Sequence, residues 1–386
     1  MNVATGHSDD VDADVAALEA VEQAVDQLQG AVPKAILVFT GIDVDTKRAL
    51  QALAARLPNV PMLGATSAAE ASRSLGCAES SVLVVLFAGA DLDVGLGVGH
   101  LTGEEHGAAA VEAVAQATGA LHGPPRLCIM LTAFTKNPST VLEAVTSALA
   151  TNDVPVFGGC AACEYGEGIH TEVFFGTETY ASGFVVLLLG GRVQHGYAVD
   201  SGWTPVGSAH TVTQVLERNL VVQIDGKPAL DLYRNYLGMP GGFGAMFVHH
   251  PLAVTVEAGT LHRVAYGAGP VPGSLFVDGD LAEGASVRLC EFERESVIAS
   301  ARVAVRKALA AWQGEAPSVA LIFECASRRF ALGTSMQRAA EAVRDALPPS
   351  TRIAGMHALG EFAPLVQGGP CELHNCSIVV LLLGGA

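Results

Sequence analysis

Gly355-Met356-His357-Ala358-Leu359-Gly360-Glu361 is the third copy of a pattern that this chain carries three times. Gly64-Ala65-Thr66-Ser67-Ala68-Ala69-Glu70 is the first copy, and Gly158-Gly159-Cys160-Ala161-Ala162-Cys163-Glu164 is the second. Each is a glycine, five mostly small residues and a glutamate, and each follows a short apolar run (60–63, 154–157 and 352–354). A glycine at a strand end signals positive φ or close backbone approach. A carboxylate soon after it, with no bulky side chain between, predicts a loop shaped around something.

The flanking elements repeat in the same order. In the first unit a strand at 1–4 precedes a helix at 9–29, where Val15, Leu18, Val21, Val25 and Leu28 recur at helical spacing. A buried strand at 34–40, a helix at 45–57, the first loop and a strand at 81–87 complete it. After a further strand at 91–95 the order repeats: the second unit runs through a helix at 107–118, a strand at 126–132, a helix at 138–150, a strand at 154–157, the second loop and a strand at 184–189. The third has helices at 296–312 and 335–347, strands at 318–324 and 351–354, the third loop and a strand at 377–383. Val-Val-Leu-Leu-Leu-Gly-Gly occurs at both 185–191 and 379–385, a match that composition does not produce. Triplication is the firmest reading of the sequence.

Residues 202–289 break the pattern. Alternating residues at 211–224 predict a strand pair around Glu217-Arg218-Asn219. Asp225-Gly226 supplies a turn, and Pro228 opens a helix to Leu237. Short strands fill 252–289, with turns at Ala258-Gly259, Asp278-Gly279 and Glu283-Gly284. The fold class is α/β: repeated β-α-β-loop-β units in two domains, 1–200 and 201–386, with a more antiparallel insertion in the second half.

The 386 residues are too many for one ordinary core. Half of them are hydrophobic and only 16% are charged. The apolar runs stop far short of the ~20 residues of a spanning helix. Strands covered on both faces explain them better, so no membrane insertion is expected. A formal charge of -17 repels phosphate backbones, so nucleic acid is not an expected partner. Eight cysteines without a signal-peptide pattern point to reduced thiols in a cytoplasmic protein. Walker A, Gly-x-Ser-x-Gly and His-Glu-x-x-His motifs are missing. Gly95-Leu96-Gly97-Val98-Gly99-His100 fails the dinucleotide fingerprint at its sixth position and reads as a flexible connection.

Several stretches together resemble the FIST family (F-box and intracellular signal transduction proteins), with N-terminal and C-terminal FIST domains. They are 64–70, Gly202-Trp203-Thr204-Pro205-Val206-Gly207, 222–233, 323–333 with Cys325, Arg328 and Gly333, and Gly360-Glu361 with His374-Asn375 downstream. The second loop departs from the family pattern at Cys160, Cys163 and Glu164, and the third at His357, where an aromatic is more usual. The resemblance implies a bacterial sensory protein that binds a small-molecule ligand and acts on a signalling partner protein such as a histidine kinase. Haem b with nitric oxide is the leading ligand. An amino acid or other metabolite is the alternative, and a hydrolase or transferase using a loop glutamate is the competing class. No enzymatic role is expected.

The candidate ligand-binding residues are Gly64, Thr66, Ser67, Glu70, Gly158, Gly159, Glu164, Arg328, Gly355, Gly360 and Glu361. In α/β sheets ligands gather at the carboxyl ends of strands, although loop carboxylates also cap turns. Arg328-Arg329 would clamp a carboxylate or propionate, or form an inter-domain ion pair. Among His170, His195, His249, His250, His262, His357 and His374, His357 leads as a haem iron ligand because it lies inside the third loop. Cys160 and Cys163 form a candidate metal or redox pair, with packed small residues as the plainer reading.

Overall fold

A computed structural model describes residues 1–103, 106–149, 154–162, 170–238 and 246–385. Three six-stranded sheets surround one shared apolar core. Leu37, Phe39 and Val85 point into it from the first sheet, Ile129, Leu131 and Leu187 from the second, and Leu321, Phe323 and Leu381 from the third. Each sheet is also covered outside by its own helices. Ala13–Leu28 and Thr46–Arg56 cover the first, Gly107–Gly119 and Pro138–Leu149 the second, Arg294–Ala311 and Met336–Ala346 the third. Burial on both faces explains runs such as Val82–Ala88, in which every residue is buried.

The units are built alike. A parallel pair forms each centre: Pro33–Gly41 with Met62–Ser67, Pro125–Thr132 with Val156–Cys160, and Val319–Cys325 with Arg352–Ala358. An antiparallel strand follows in each: Val82–Ala88, Gly183–Gly191 and Ile378–Gly385. The outer neighbours are Asn2–Ser8, Leu92–His100 and Val193–Asp200.

A hairpin that no linear pattern announces follows each Gly-x5-Glu stretch. Glu70–Ser72 and Gly76–Ala78 leave the first unit and pair with the third sheet at Arg352–Ala358. Glu361–Pro364 and Cys371–His374 leave the third and join the second at Val156–Cys160. Val173–Phe175 and Glu178–Tyr180 leave the second and join the first at Met62–Ser67. The exchange is cyclic. A division at residue 200 therefore separates the chain but not its packing.

Three local expectations change. Gly64 and Gly355 lie inside strands, not at the start of loops. Gly64 is required by close approach, since a Cβ there would sit 1.9 Å from the Val38 carbonyl oxygen. The Gly95–Gly99 run is not a flexible connection but part of strand Leu92–His100. Cβ atoms on Gly95 and Gly97 would meet the carbonyls of Ala117 and Ala113, so these glycines let helix Gly107–Gly119 lie directly on the sheet. His249, which the apolar run before Pro251 marks as a strand end, instead ends a short helix, Met246–His249.

The insertion forms a nine-stranded sheet paired antiparallel throughout, between Trp203 and Phe292. It occupies the place between the first strand and first helix of the third unit. Its hairpin turns at Glu217 and Arg218, both with positive φ, and Asp225-Gly226 turns before helix Ala229–Leu237 as the sequence predicts. No helix among the described residues is long and apolar enough to cross a membrane.

Candidate functional site

The three Gly-x5-Glu stretches meet. Ala68 N–H donates to the His357 carbonyl at 3.1 Å, Ala162 N–H to Thr66 at 3.0 Å, and Cys160 N–H to Gly360 at 2.8 Å. Ala68 and Ala162 pack together with Ala326 beside this junction. Gly64, Thr66, Ser67, Glu70, Gly158, Gly159, Gly355, Gly360 and Glu361 are thus brought to one region. Cys163 and Glu164 lie outside the described residues.

Both described glutamates are fully buried. Ser81 Oγ donates to Glu70 Oε2 at 2.5 Å, and Ser377 Oγ to Glu361 Oε2 at 2.6 Å. Glu70 Oε1 and Glu361 Oε1 have no hydrogen-bond partner. Burial, opposed by the Ser81 bond, pushes Glu70 up to about 8. Burial, then the nearby Cys325 charge, pushes Glu361 well above the carboxylate range. Beyond Ser81, His7 Nε2 and Nδ1 lie 2.8 Å from Ser81 Oγ and Ser72 Oγ, so a buried relay links Glu70 towards the surface.

Strand register aligns the copies residue by residue. Thr40 and Thr66 are neighbours in the first, Thr132 and Cys160 in the second, Glu324 and His357 in the third. An ion pair replaces two small polar side chains only in the third copy. His357 Nδ1 donates to the Ala69 carbonyl at 2.9 Å. Its Nε2 faces Glu324 Oε2 at 3.5 Å, close enough for an ion pair but without a well-formed hydrogen bond. Burial works against the imidazolium, yet Glu324 prevails and raises His357. Glu324 falls to about 2 because Arg328 and His357 outweigh its burial.

Arg328 is buried and already engaged. Its Nε donates to Glu324 Oε1 at 2.6 Å, and its remaining bonds go to Ser201 O, Ser300 Oγ and Val297 O. It ties the third strand end to helix Arg294–Ala311. Arg329 pairs with Glu79 at 2.7 Å, an ion pair between the two halves of the chain rather than a clamp on a ligand.

The inserted sheet supplies residues that the repeat alone does not reveal. Asn375 Nδ2 donates to Asp278 Oδ2 at 2.9 Å, and a Cβ on Gly360 would lie 3.5 Å from both groups. Gly360 thus lies against Asp278 and Asn375, and the close approach that limits a side chain there is Leu373 Cδ1 at 2.9 Å. Asp278 Oδ1 is unpartnered, and burial, then Cys325, pushes this carboxyl up to about 7. The signal for this residue was a turn, Asp278-Gly279, with nothing to indicate where it docks. A cavity of about 230 Å³ is lined by Asp200, Ser201, Trp203, His262, His374 and Ser377, among others. Glu361 and Asp278 are not on its wall, but the wall residue Ser377 bonds Glu361, and His374 adjoins Asn375, the partner of Asp278. Burial lowers both His262 and His374 to about 4, so both are neutral. His374 Nε2 is bonded to the Ala363 carbonyl and His262 Nε2 has no partner.

A second cavity, about 780 Å³, lies between the second and third sheets at the opposite, amino-terminal ends of the parallel strands. Arg126, His195, Tyr197 and Gln367 are on its wall. His195 is lowered by burial. The remaining histidines are dispersed: His170 is exposed near Glu172, and His250 Nδ1 meets the Cys290 carbonyl. Among the described residues no group of three His, Cys, Asp or Glu side chains could hold a metal ion.

No curated protein matches the sequence. Among solved structures, a cyanuric acid hydrolase from A. caulinodans is similar over 98% of this chain and 98% of its own, at 10% identity and a TM-score of 0.38. T. maritima PurL complexed with AMPPCP is similar over 99% of this chain and 72% of its own, at 14% identity and a TM-score of 0.23. Likenesses at this level carry no functional argument. The family models are decisive: residues 34–227 match the FIST N domain and residues 229–364 the FIST C domain. This chain therefore belongs to the FIST family, whose domains are implicated in signal transduction and small-ligand sensing.

Proposed function

We propose that the protein senses one small amine-bearing metabolite, of amino-acid size, beside Glu361 and Asp278, and acts on a separate signalling protein such as a histidine kinase. The observation that carries this reading is the pair of unpartnered buried oxygens, Glu361 Oε1 and Asp278 Oδ1. A buried polar atom without a partner costs ~1–3 kcal/mol, which ligand N–H groups would offset. Ser377 links Glu361 to the 230 Å³ cavity, which is smaller than the roughly 300–1,000 Å³ of drug-sized sites and suited to a metabolite. The cavity lies on the seam between the inserted sheet and the three-sheet body. A ligand that fits one arrangement of that seam better than another shifts the population between them. Glu70 and Glu361 hold protons near neutrality, so they are acids there and not ready bases, which favours a sensor over a base-using hydrolase or transferase.

A thermal-shift screen of amino acids and related amines tests this, since a ligand that binds only the folded chain raises its melting temperature. A hit should disappear in Glu361→Gln and should release protons on binding, seen as buffer-dependent heats in calorimetry. A screen with no hit, or a hit that Glu361→Gln leaves unchanged, overturns it.

A second reading, haem b with nitric oxide, is favoured by the 780 Å³ cavity, the larger of the two. His357 does not fit as an iron ligand: it is enclosed, held at Nδ1 and drawn towards the charged form by Glu324. His195 fits better, being neutral and on the cavity wall with Arg126 available for a propionate. Haem would supply an iron able to bind the gas. A Soret band that shifts with nitric oxide and is lost in His195→Ala supports this reading. A chain that takes up no haemin sinks it.

A further inference from the structure

Alignment of the three units singles out two thiols. Cys325 N–H donates to the Ser377 carbonyl at 2.9 Å, as Gly41 N–H does to Ser81 and Ala133 N–H to Gly183. The residue before each acceptor is Cys376, Ser80 or Ser182. Both cross-strand positions carry sulfur only in the third unit, so the fold itself does not require it. In the first unit the two positions approach so closely that a Cβ on Gly41 would sit 2.6 Å from Ser80 Cα; in the third the Cys325 N–H to Ser377 bond keeps them neighbours across the strands. Cys376 and Ser80 share a positive φ, 55° and 51°. In the third unit the Cys376 and Ser327 side chains neighbour Cys325 and favour its thiolate, and the Cys376 thiol points to the Val248 carbonyl at 4.0 Å.

We propose that Cys325 and Cys376 are a peroxide-reactive thiol pair that closes to a reversible disulfide next to the third loop. Burial opposes a charge on Cys325, but the neighbouring Cys376 and Ser327 hold its thiol below the ordinary value, and the thiolate is the nucleophile. Cys376 is raised and keeps its proton. In the first step the Cys325 thiolate attacks one oxygen of hydrogen peroxide. An S–O bond forms, the O–O bond breaks, and the departing hydroxide takes the proton of the neutral Glu361 carboxyl to give water. Cys325 is then a sulfenic acid. In the second step Cys376 sulfur attacks Cys325 sulfur. The S–S bond forms, the S–O bond breaks, and the second hydroxide leaves as water with the Cys376 proton. Two thiol sulfurs are oxidised and one peroxide is reduced to two waters. Cys325 is only 3% exposed, which selects a small uncharged oxidant over a bulky disulfide.

Titration of the reduced chain with hydrogen peroxide, then peptide mapping without reductant, tests the pair. A cross-linked peptide joining residues 325 and 376, reopened by dithiothreitol, is expected. Cys376→Ser should stop at a sulfenate that dimedone labels on Cys325. Cys325→Ala restores the residue of the second unit, Ala133, and should fold while forming no cross-link. Unmodified Cys325 in folded, peroxide-treated chain overturns the inference, as does oxidation confined to other cysteines such as the half-buried Cys77. A chain that forms the disulfide yet binds no amine loses only the ligand reading, and the reverse result loses only this one.

Discussion

Ser377 Oγ donates to Glu361 Oε2 at 2.6 Å, inside the protein, and leaves the other carboxyl oxygen unpartnered. The same bond joins Ser81 to Glu70, while the second unit has Gly183 where the serine would stand. Both described glutamates of the repeat are thus solvated incompletely by the core. Ser377→Ala removes the remaining side-chain donor and should cost ~1–3 kcal/mol in urea unfolding. Glu361→Gln should cost less, because the amide is neutral like the protonated carboxyl and its oxygen can still accept from Ser377. Equal costs would show that the bond contributes nothing beyond packing.

Stability should fall as pH rises. Between the ordinary carboxylate range and about 8 the folded chain keeps a proton on Glu70 that the unfolded chain has released. The folded state binds more protons in that window, so rising pH favours unfolding, and the slope levels off above the folded value. Asp278, raised to about 7, acts with the same sign. A tenfold difference in proton affinity between the folded and unfolded chain is worth ~1.4 kcal/mol, and Glu70→Gln should flatten the profile measured by denaturant midpoints. An unchanged slope in that variant would place the proton elsewhere.

Glu324 has the opposite sign. It holds Arg328 and faces His357, and its stabilising effect is lost only as pH falls towards about 2. Glu324→Gln leaves buried cations without their counter-charge and should cost ~3–5 kcal/mol. Circular dichroism during thermal melting would read it. A loss below ~1 kcal/mol would mean that the arginine's carbonyl bonds suffice alone.

The hairpin exchange predicts where damage travels. Phe362 belongs to the third unit in sequence but packs among Val141, Leu142 and Val186 of the second. Phe362→Ala should cost ~3–5 kcal/mol, and hydrogen exchange should accelerate first in strand Pro125–Thr132 and helix Pro138–Leu149. Loosening confined to Val319–Cys325 would contradict the exchange.

Glycines separate close approach from mere flexibility. Gly64→Ala drives a Cβ to 1.9 Å from Val38 O and should abolish soluble folded protein. Gly107→Ala meets nothing within 4 Å at the start of a helix and should be neutral or gain ~0.5–1 kcal/mol. Comparable expression and melting of the two variants would refute the contrast.

Much of the architecture was legible because it is local. The strands of the triplicate announce themselves as unbroken apolar runs, the helices by their spacing, and the turn at Asp225-Gly226 by its chemistry. The glutamates were visible as a repeat. The hairpins that follow them were missed because their strands are only three or four residues long, and their pairing partners lie in other units.

The sequence by itself determined the α/β class, the three units, the inserted antiparallel region and the positions of Glu70 and Glu361. Periodicity, glycine placement and repetition are properties of neighbouring residues, so a linear reading reaches them. Only the tertiary structure decided which side chains share a site. Asp278 meets the third loop because the insertion folds back onto it, Cys325 because its strand pairs in parallel with Arg352–Ala358, and Arg328 and His357 become fixed partners of Glu324. Burial then sets their charge states, and burial depends on what the rest of the chain places around them.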